Sequence, residues 1–96
     1  MSDVEVRNNP DKSRYEAWLD GTLAGFAEYQ LRTEAIVFTH TEVSDEFEGR
    51  GVGGALARGA LDDVRADGTR SVEPRCPFIE GWIGKHPDYQ DLVASA

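Results

Sequence analysis

A glycine-rich stretch, residues 47–56, constrains the fold of this chain more than any other feature. It runs FEGRGVGGAL, with four glycines in six residues. Glycine leaves the backbone bare and tolerates positive φ, so that successive N–H groups can converge on one point. Val52, Leu56, Ala60 and Val64 then recur every fourth residue, which is typical of an amphipathic helix. A helix that begins here adds free N–H groups and the positive end of its dipole, so the stretch predicts a phosphate or pyrophosphate site.

The chain before this stretch predicts an antiparallel meander of four strands. The strands are expected at residues 3–8, 14–19, 22–31 and 35–43. Asp20-Gly21 predicts a tight hairpin between the second and third strands. The break in alternation at Ala24-Gly25 predicts a β-bulge in the third. In the fourth strand, a period of two places residues 36, 38 and 40 on one face and residues 37, 39, 41 and 43 on the other.

After the glycine-rich stretch, the long helix is expected to end at Asp67-Gly68, with Gly68 as its left-handed cap. A short fifth strand follows around residues 70–73. Pro77 suits the first position of a second helix, which ends near residues 85–86 before Pro87. Ninety-six residues fit one small domain, so a single domain over residues 1–96 is predicted.

Composition excludes several classes of function. The formal net charge of −8 argues against a nucleic-acid or anionic-membrane partner. It mildly favours a cationic substrate such as an amine, although solubility alone also explains an acidic surface. The single cysteine, Cys76, excludes an internal disulfide and a multi-cysteine zinc site. With no apolar run of membrane-spanning length and no signal-peptide pattern at the N-terminus, a cytoplasmic location is expected.

Three alternatives compete for the glycine-rich stretch. Gly49, Gly51 and Gly54 fit the dinucleotide pattern G-x-G-x-x-G, and Glu73 follows about twenty residues later. That pattern belongs to the first strand of a parallel βαβ sheet, whereas an antiparallel meander precedes it here. A P-loop fails because no Gly-Lys-Ser/Thr closes the run. The third alternative is a structural turn in which glycine permits close packing.

At this point the sequence resembles the GNAT superfamily of N-acetyltransferases. The pyrophosphate loop of that family is Gln/Arg-x-x-Gly-x-Gly/Ala, between the fourth strand and the long helix. Residues 48–53 match it at Gly51 and Gly53, but Glu48 replaces the first Gln or Arg. Residues 38–43, 74–78 and 85–89 resemble minimal, stand-alone members of about this length.

The resemblance implies an α/β (α+β) shortened GNAT fold that lacks the usual N-terminal helix pair. Its sheet is mostly antiparallel, its fourth and fifth strands splay apart, and it has one long helix and a C-terminal helix. The implied cofactor is acetyl-CoA, whose pantetheine arm pairs with the backbone of the fourth strand. The residues expected to bind it are Thr41, Glu42, Val43, Gly49, Arg50, Gly51, Val52, Gly53 and Gly54.

Two residues are candidates for the chemistry. Histidine can act as a general base near neutral pH, and His40 lies late in the strand before the loop. Cys76 precedes Pro77 at the expected N-cap of the last helix, where the dipole and free N–H groups favour a thiolate nucleophile. The ordinary alternatives are a hydrogen-bonded strand histidine and a buried cysteine. The resemblance places both residues at the active site. In many GNAT enzymes a tyrosine protonates the coenzyme A thiolate, and Tyr89 is the candidate for that role in this sequence.

The sequence therefore predicts an acetyl-CoA-dependent N-acetyltransferase that acts on a small-molecule or protein amine, with an acetyl-cysteine at position 76 as one route. The alternative is a coenzyme A-binding module without catalysis, and a purely structural glycine loop is a third reading. A monomer or weak dimer is expected, with no nucleic acid, membrane or metal partner.

Overall fold

A five-stranded sheet and two α-helices make up residues 4–93, the part of the chain that the computed structural model describes. The strands are β1 (Glu5–Asn9), β2 (Arg14–Leu19), β3 (Thr22–Leu31), β4 (Ala35–Val43) and β5 (Ser71–Pro74). The helices are α1 (Val52–Asp67) and α2 (Pro77–Gly84), with short 3₁₀ turns at Pro10–Lys12, Asp45–Phe47 and Pro87–Leu92. Asp3, the expected start of the first strand, lies outside the described residues.

The strands lie in sequence order across the sheet. The first three pairings are antiparallel, so the predicted meander is confirmed, and β4 pairs with β5 in parallel. Asp20 and Gly21 both have positive φ, 52° and 77°, as a type I′ hairpin turn requires. None of the helices in residues 4–93 is long and apolar enough to cross a membrane.

The predicted bulge in β3 is confirmed. Ala17 pairs with Gly25 while Trp18 pairs with Leu23, which leaves Ala24 as the extra residue. At Gly25 the backbones of β3 and β4 approach closely, because a methyl group there would lie 2.7 Å from the carbonyl oxygen of Glu42. Glycine at this position therefore lets the two strands pair without distortion.

A second bulge, in β4, corrects the predicted faces of that strand. Tyr29 pairs with Phe38 and Glu28 pairs with His40, so Thr39 is the extra residue. Beyond a bulge the alternation of side chains shifts by one position. The prediction that His40 shares a face with Ile36 and Phe38 was therefore wrong.

One hydrophobic core lies between the sheet and the two helices. Leu56 and Leu61 of α1 and Ile79 of α2 have no exposed surface, and burying a side chain of this size contributes about 1.5–3 kcal/mol. Helix α1 approaches β1 so closely that a methyl group at Gly59 would lie 2.7 Å from Val6 Cβ. Both helices contribute to the same core, which leaves the opposite face of the sheet without a helix within the described residues.

Candidate active site

The central feature of the site is a gap beside the second half of β4. Pairing between β4 and β5 runs from Ala35↔Ser71 to Phe38↔Pro74 and then stops. The N–H groups of Arg75 and Cys76 both donate to the carbonyl oxygen of Phe38, at 3.0 and 2.9 Å, as the chain turns into α2. Residues 39–43 still belong to β4, but the strand partner assigned to them is β3 alone.

The hydrogen bond from Ser44 to β3 shows which way the backbone N–H and C=O groups of residues 41–43 point. Ser44 N–H donates to the carbonyl oxygen of Ala24 at 2.8 Å, so Ser44 faces β3. Because backbone polar groups point alternately to the two sides of a strand, Val43 and Thr41 face the gap and Glu42 faces β3. Two of the three β4 residues expected to pair with a cofactor thus present their backbone N–H and C=O groups to the gap.

Cys76 lies at the N-cap of α2, as predicted. Its Sγ donates a hydrogen bond to Thr41 Oγ1 at 3.2 Å, which joins the start of α2 to the gap-lining half of β4. Only 3% of the residue is exposed, and it belongs to the hydrophobic core. The thiol is therefore a buried, hydrogen-bonded group next to the gap.

His40 points to the helix-free face of the sheet, because the bulge at Thr39 turns it away from the core. Its Nε2 lies 3.2 Å from Glu42 Oε1, and the two side chains are 53% and 64% exposed. A carboxylate only accepts hydrogen bonds, so Nε2 is the donor in this contact, and in a neutral imidazole Nδ1 then keeps its lone pair. The structure thus brings His40 to Glu42 and Cys76 to Thr41, but His40 and Cys76 lie on different faces.

The loop before α1 has the backbone conformation that its glycines favour. Gly49 and Gly51 have φ of 78° and 77°, and a methyl group at either would meet no atom within 4 Å. Gly51 is the N-cap of α1, and Ala55 N–H makes the first helical bond back to it, at 3.0 Å. Within residues 4–93, the N–H groups of residues 49 and 51–54 have no backbone acceptor. These unshielded donors fit the oxygen atoms of a pyrophosphate.

The side chains of the loop contribute less to such a site. Val52 is 1% exposed as a whole residue, so its side chain lies in the core and does not contribute to such a site. Arg50 is the basic residue of residues 44–54, and its guanidinium lies 6.0 Å from the ring centroid of Phe47. Glu48, where the family pattern has Gln or Arg, offers a carboxylate that would repel a phosphate.

Gly53 and Gly54 also have a packing role that sequence reasoning missed. A methyl group at Gly53 would lie 2.8 Å from Phe78 Cζ, and one at Gly54 would lie 3.8 Å from Trp82 Nε1. Gly53 therefore lets Phe78 of α2 pack on the first turn of α1, whereas a methyl group at Gly54 would make only an ordinary van der Waals contact. The close-packing alternative thus accounts for part of the glycine-rich stretch, although it does not account for Gly49 and Gly51, which have open space around them.

The Tyr89 hydroxyl is hydrogen-bonded to two side chains of α1. It donates to Asp62 Oδ1 at 2.7 Å and accepts from Arg58 Nη1 at 3.1 Å. The hydrogen bond to Asp62 is the main cause of a raised pKa of the phenol, and burial adds to it. This side chain, 7% exposed, fastens the C-terminal 3₁₀ turn to α1.

Comparisons with known proteins agree with this architecture. The sequence profile of the family described as GCN5-related N-acetyl-transferase matches residues 14–92. The solution structure of a GCN5-like putative N-acetyltransferase from Staphylococcus aureus is similar with a TM-score of 0.72 and 23% identity, over 100% of this chain and 93% of that one. No functionally curated protein is similar enough in sequence to be matched.

A second similar structure is the ribosomal-protein-alanine N-acetyltransferase from Brucella melitensis biovar Abortus 2308. Its TM-score is 0.59 at 21% identity, and the match covers 86% of this chain and 63% of that one. At these identities the two structures establish the shortened GNAT fold, with one long helix, a C-terminal helix and splayed fourth and fifth strands. The family match spans most of the sequence. The chain belongs to the GCN5-related N-acetyltransferase family.

Proposed function

We propose that this protein is an acetyl-CoA-dependent N-acetyltransferase whose acceptor is a small-molecule or protein amine. The observation that carries the proposal is the gap beside residues 39–43 of β4, next to a glycine loop with free backbone donors. An extended ligand with a phosphate group at one end fits these two features together, because the strand edge offers backbone pairing and the loop offers anion binding.

Separate parts of the chain would hold the cofactor. The backbone N–H groups of residues 49 and 51–54 would bind its pyrophosphate, and the backbones of Thr41 and Val43 would pair with its pantetheine arm. When bound, acetyl-CoA supplies a thioester with an electrophilic carbonyl carbon and a thiolate leaving group. The acidic surface, with a net charge of −8, would attract the amine in its protonated, cationic form.

His40 would act as the general base. An amine attacks a thioester only when it is unprotonated, so a proton must leave it, and the free Nδ1 of His40 can take that proton. Glu42 would hold the imidazole in this tautomer through its 3.2 Å contact with Nε2. Since no helix covers this face of the sheet in the described residues, an acceptor can reach His40 from solvent.

Cys76 would line the gap while the acetyl group passes directly to the amine. Its burial and its hydrogen bond to Thr41 favour this role over that of a nucleophile. An acetyl-cysteine at position 76 is the alternative, since the thiol lies beside the gap. Mass spectrometry of the intact protein after mixing with acetyl-CoA distinguishes the two: we expect no acetyl adduct that depends on Cys76. An adduct present in the wild type and absent from Cys76→Ala would overturn the lining role.

Two measurements test the function. Calorimetric titration with acetyl-CoA should show saturable binding, and a panel of amines and basic peptides should reveal an acceptor by the release of free coenzyme A thiol. Absence of binding would refute the proposal. Binding without turnover on any acceptor would instead support the alternative, a coenzyme A-binding module that does not catalyse transfer.

A further inference from the structure

A cavity lies at the opposite end of α1 from the glycine loop. It has a volume of about 460 Å³ and opens between the end of β3, the start of β4 and the last turns of α1. Asp63 on its wall lies twelve residues after Gly51, which is roughly 18 Å along a helix that rises 1.5 Å per residue. The cavity is therefore separate from the candidate active site.

Aromatic and aliphatic side chains form much of the cavity wall. The rings of Tyr15 and Tyr29 both line it, with their centroids 5.4 Å apart. Leu31, which also lines it, is 55% exposed and is one of two large exposed hydrophobic residues in the described chain. A cavity of this size, with apolar and polar groups side by side in its wall, lies within the range of small-molecule sites.

The charge in the cavity is predominantly negative. Asp63 and Asp67 lie four residues apart on α1, near the C-terminal end, where the helix dipole disfavours anions. Asp63 Oδ2 accepts a hydrogen bond from the Tyr15 hydroxyl at 2.6 Å, and no basic side chain in residues 4–93 forms an ion pair with either carboxylate. Arg70 also lines the cavity and keeps its positive charge, since its Nε donates to the neutral carbonyl oxygen of Arg32 at 2.8 Å. The two carboxylates still leave the lining with one excess negative charge.

Burial raises the pKa of Tyr15, and its hydrogen bond to Asp63 raises it further. The charges of Asp63 and Asp67 act in the same direction. A cation in the cavity would be attracted by both carboxylates, and an apolar group attached to it would contact the wall.

We infer that this cavity binds a small organic cation, an ammonium group attached to an apolar body. The ammonium lies near Asp63 and Asp67, and the apolar part contacts the rings of Tyr15 and Tyr29 and the side chain of Leu31. The site is distinct from the acceptor site of the acetyl transfer, because it lies at the far end of α1 from the loop.

Benzyltrimethylammonium is a suitable probe, since a quaternary nitrogen has no proton to lose and cannot be acetylated. We expect its titration into the ¹⁵N-labelled full chain, without acetyl-CoA, to shift the amide signals of Tyr15, Tyr29 and residues 63–67 in a saturable way. Benzyl alcohol, which is neutral, should bind at least about tenfold more weakly, as loss of a charged interaction implies. Equal affinity for the two probes, signal shifts confined to other residues, or no shifts would each overturn the inference.

Asp63→Asn and Asp67→Asn test the charge, and each should weaken binding by about tenfold. Asp63→Asn keeps an oxygen that can accept from Tyr15, and thermal unfolding reports whether the fold is kept. Should Asp63→Asn fail to fold, Asp67→Asn alone decides the matter, since Asp67 is an exposed residue at the helix end. Asp88→Asn is the matched control, because it removes the same charge from the C-terminal 3₁₀ turn; an equal loss in this variant would contradict a local site.

Discussion

Cys76 Sγ lies 3.2 Å from Thr41 Oγ1, so one side-chain hydrogen bond joins α2 to β4 where β4 and β5 separate. Thr41→Val keeps the shape of the side chain but removes the acceptor and leaves the buried thiol without its partner. We expect it to lower the free energy of unfolding by about 1 kcal/mol in urea denaturation. Thr41→Ser, which keeps the hydroxyl, should be closer to the wild type; wild-type stability in Thr41→Val would show that this hydrogen bond does not contribute to stability.

Replacing His40 should separate catalysis from cofactor binding. On any amine that the wild type acetylates, His40→Ala is expected to reduce kcat by about 10²–10⁴-fold, the usual contribution of a general base. The Kd for acetyl-CoA should stay the same, because the imidazole points to the helix-free face. Glu42→Gln should lower kcat less, as it changes only the partner of the imidazole. Unchanged turnover in His40→Ala would remove the histidine from the mechanism.

Gly51→Ala tests the loop conformation against a matched glycine. A residue other than glycine at φ of 77° is strained by about 1–2 kcal/mol, so stability and acetyl-CoA affinity should both fall. Gly81→Ala is the control, because Gly81 lies inside α2 with no atom within 4 Å of the added methyl group. There alanine should stabilise the helix by about 0.5–1 kcal/mol. A Gly51→Ala variant with wild-type affinity would exclude the loop from cofactor binding.

Gly59 and Val6 form a tight contact that a double-mutant cycle can measure. Gly59→Ala places a methyl group 2.7 Å from Val6 Cβ and should destabilise the protein by about 1–3 kcal/mol through overpacking. Combining it with Val6→Ala should recover part of that loss, because alanine keeps Cβ but removes both Cγ atoms, each of which would lie 2.9 Å from the added methyl group. Strictly additive losses in denaturant unfolding would show that the two residues do not interact.

The carboxylate of Glu16 should make the free energy of unfolding depend on pH. This buried carboxylate accepts from Arg14 Nε at 2.9 Å, Asn9 Nδ2 at 3.1 Å and Trp18 Nε1 at 3.2 Å. Burial acts to raise its pKa, but these three hydrogen bonds outweigh burial and hold the pKa below its ordinary 4.5. A depressed native pKa gives stability that is present above pH 4.5 and is lost as pH falls through the native pKa.

Glu16→Gln should therefore lower the free energy of unfolding by about 1–2 kcal/mol at pH 7, and by less below pH 4. Urea denaturation at a series of pH values measures the difference between the two proteins. Glu46→Gln, an exposed residue in the Asp45–Phe47 turn, is the control. A difference that does not change with pH would contradict a role for the carboxylate charge of Glu16.

Local sequence signals predicted the elements of this fold well, because their causes are local. The Asp20-Gly21 turn, the bulge at Ala24 and the proline at the start of α2 each follow from the conformational preferences of one or two residues. The bulge at Thr39 gave no such signal, since an uninterrupted β-branched run looks like a regular strand. Its position is set by pairing with β3, which the sequence of β4 alone does not contain.

Only the parts of the candidate site that depend on local backbone conformation could be predicted from the sequence. The open glycine loop and the N-cap position of Cys76 follow from nearby residues. In contrast, the contact of Gly53 with Phe78 joins residues twenty-five positions apart, and the face of the sheet on which His40 and Glu42 lie depends on the bulge. Long-range packing of this kind leaves no periodic pattern that a single sequence could reveal.

The extra residue at Thr39 shifts the alternation of side chains along β4 by one position. Every side chain of the strand after position 39 therefore lies on the face opposite to the one that a regular strand would give it. Deleting Thr39 would remove the bulge but keep these faces, because His40 would then follow Phe38 directly and would still point away from the core. Such a deletion should therefore leave His40 and Thr41 on their present sides of the site while it straightens the strand.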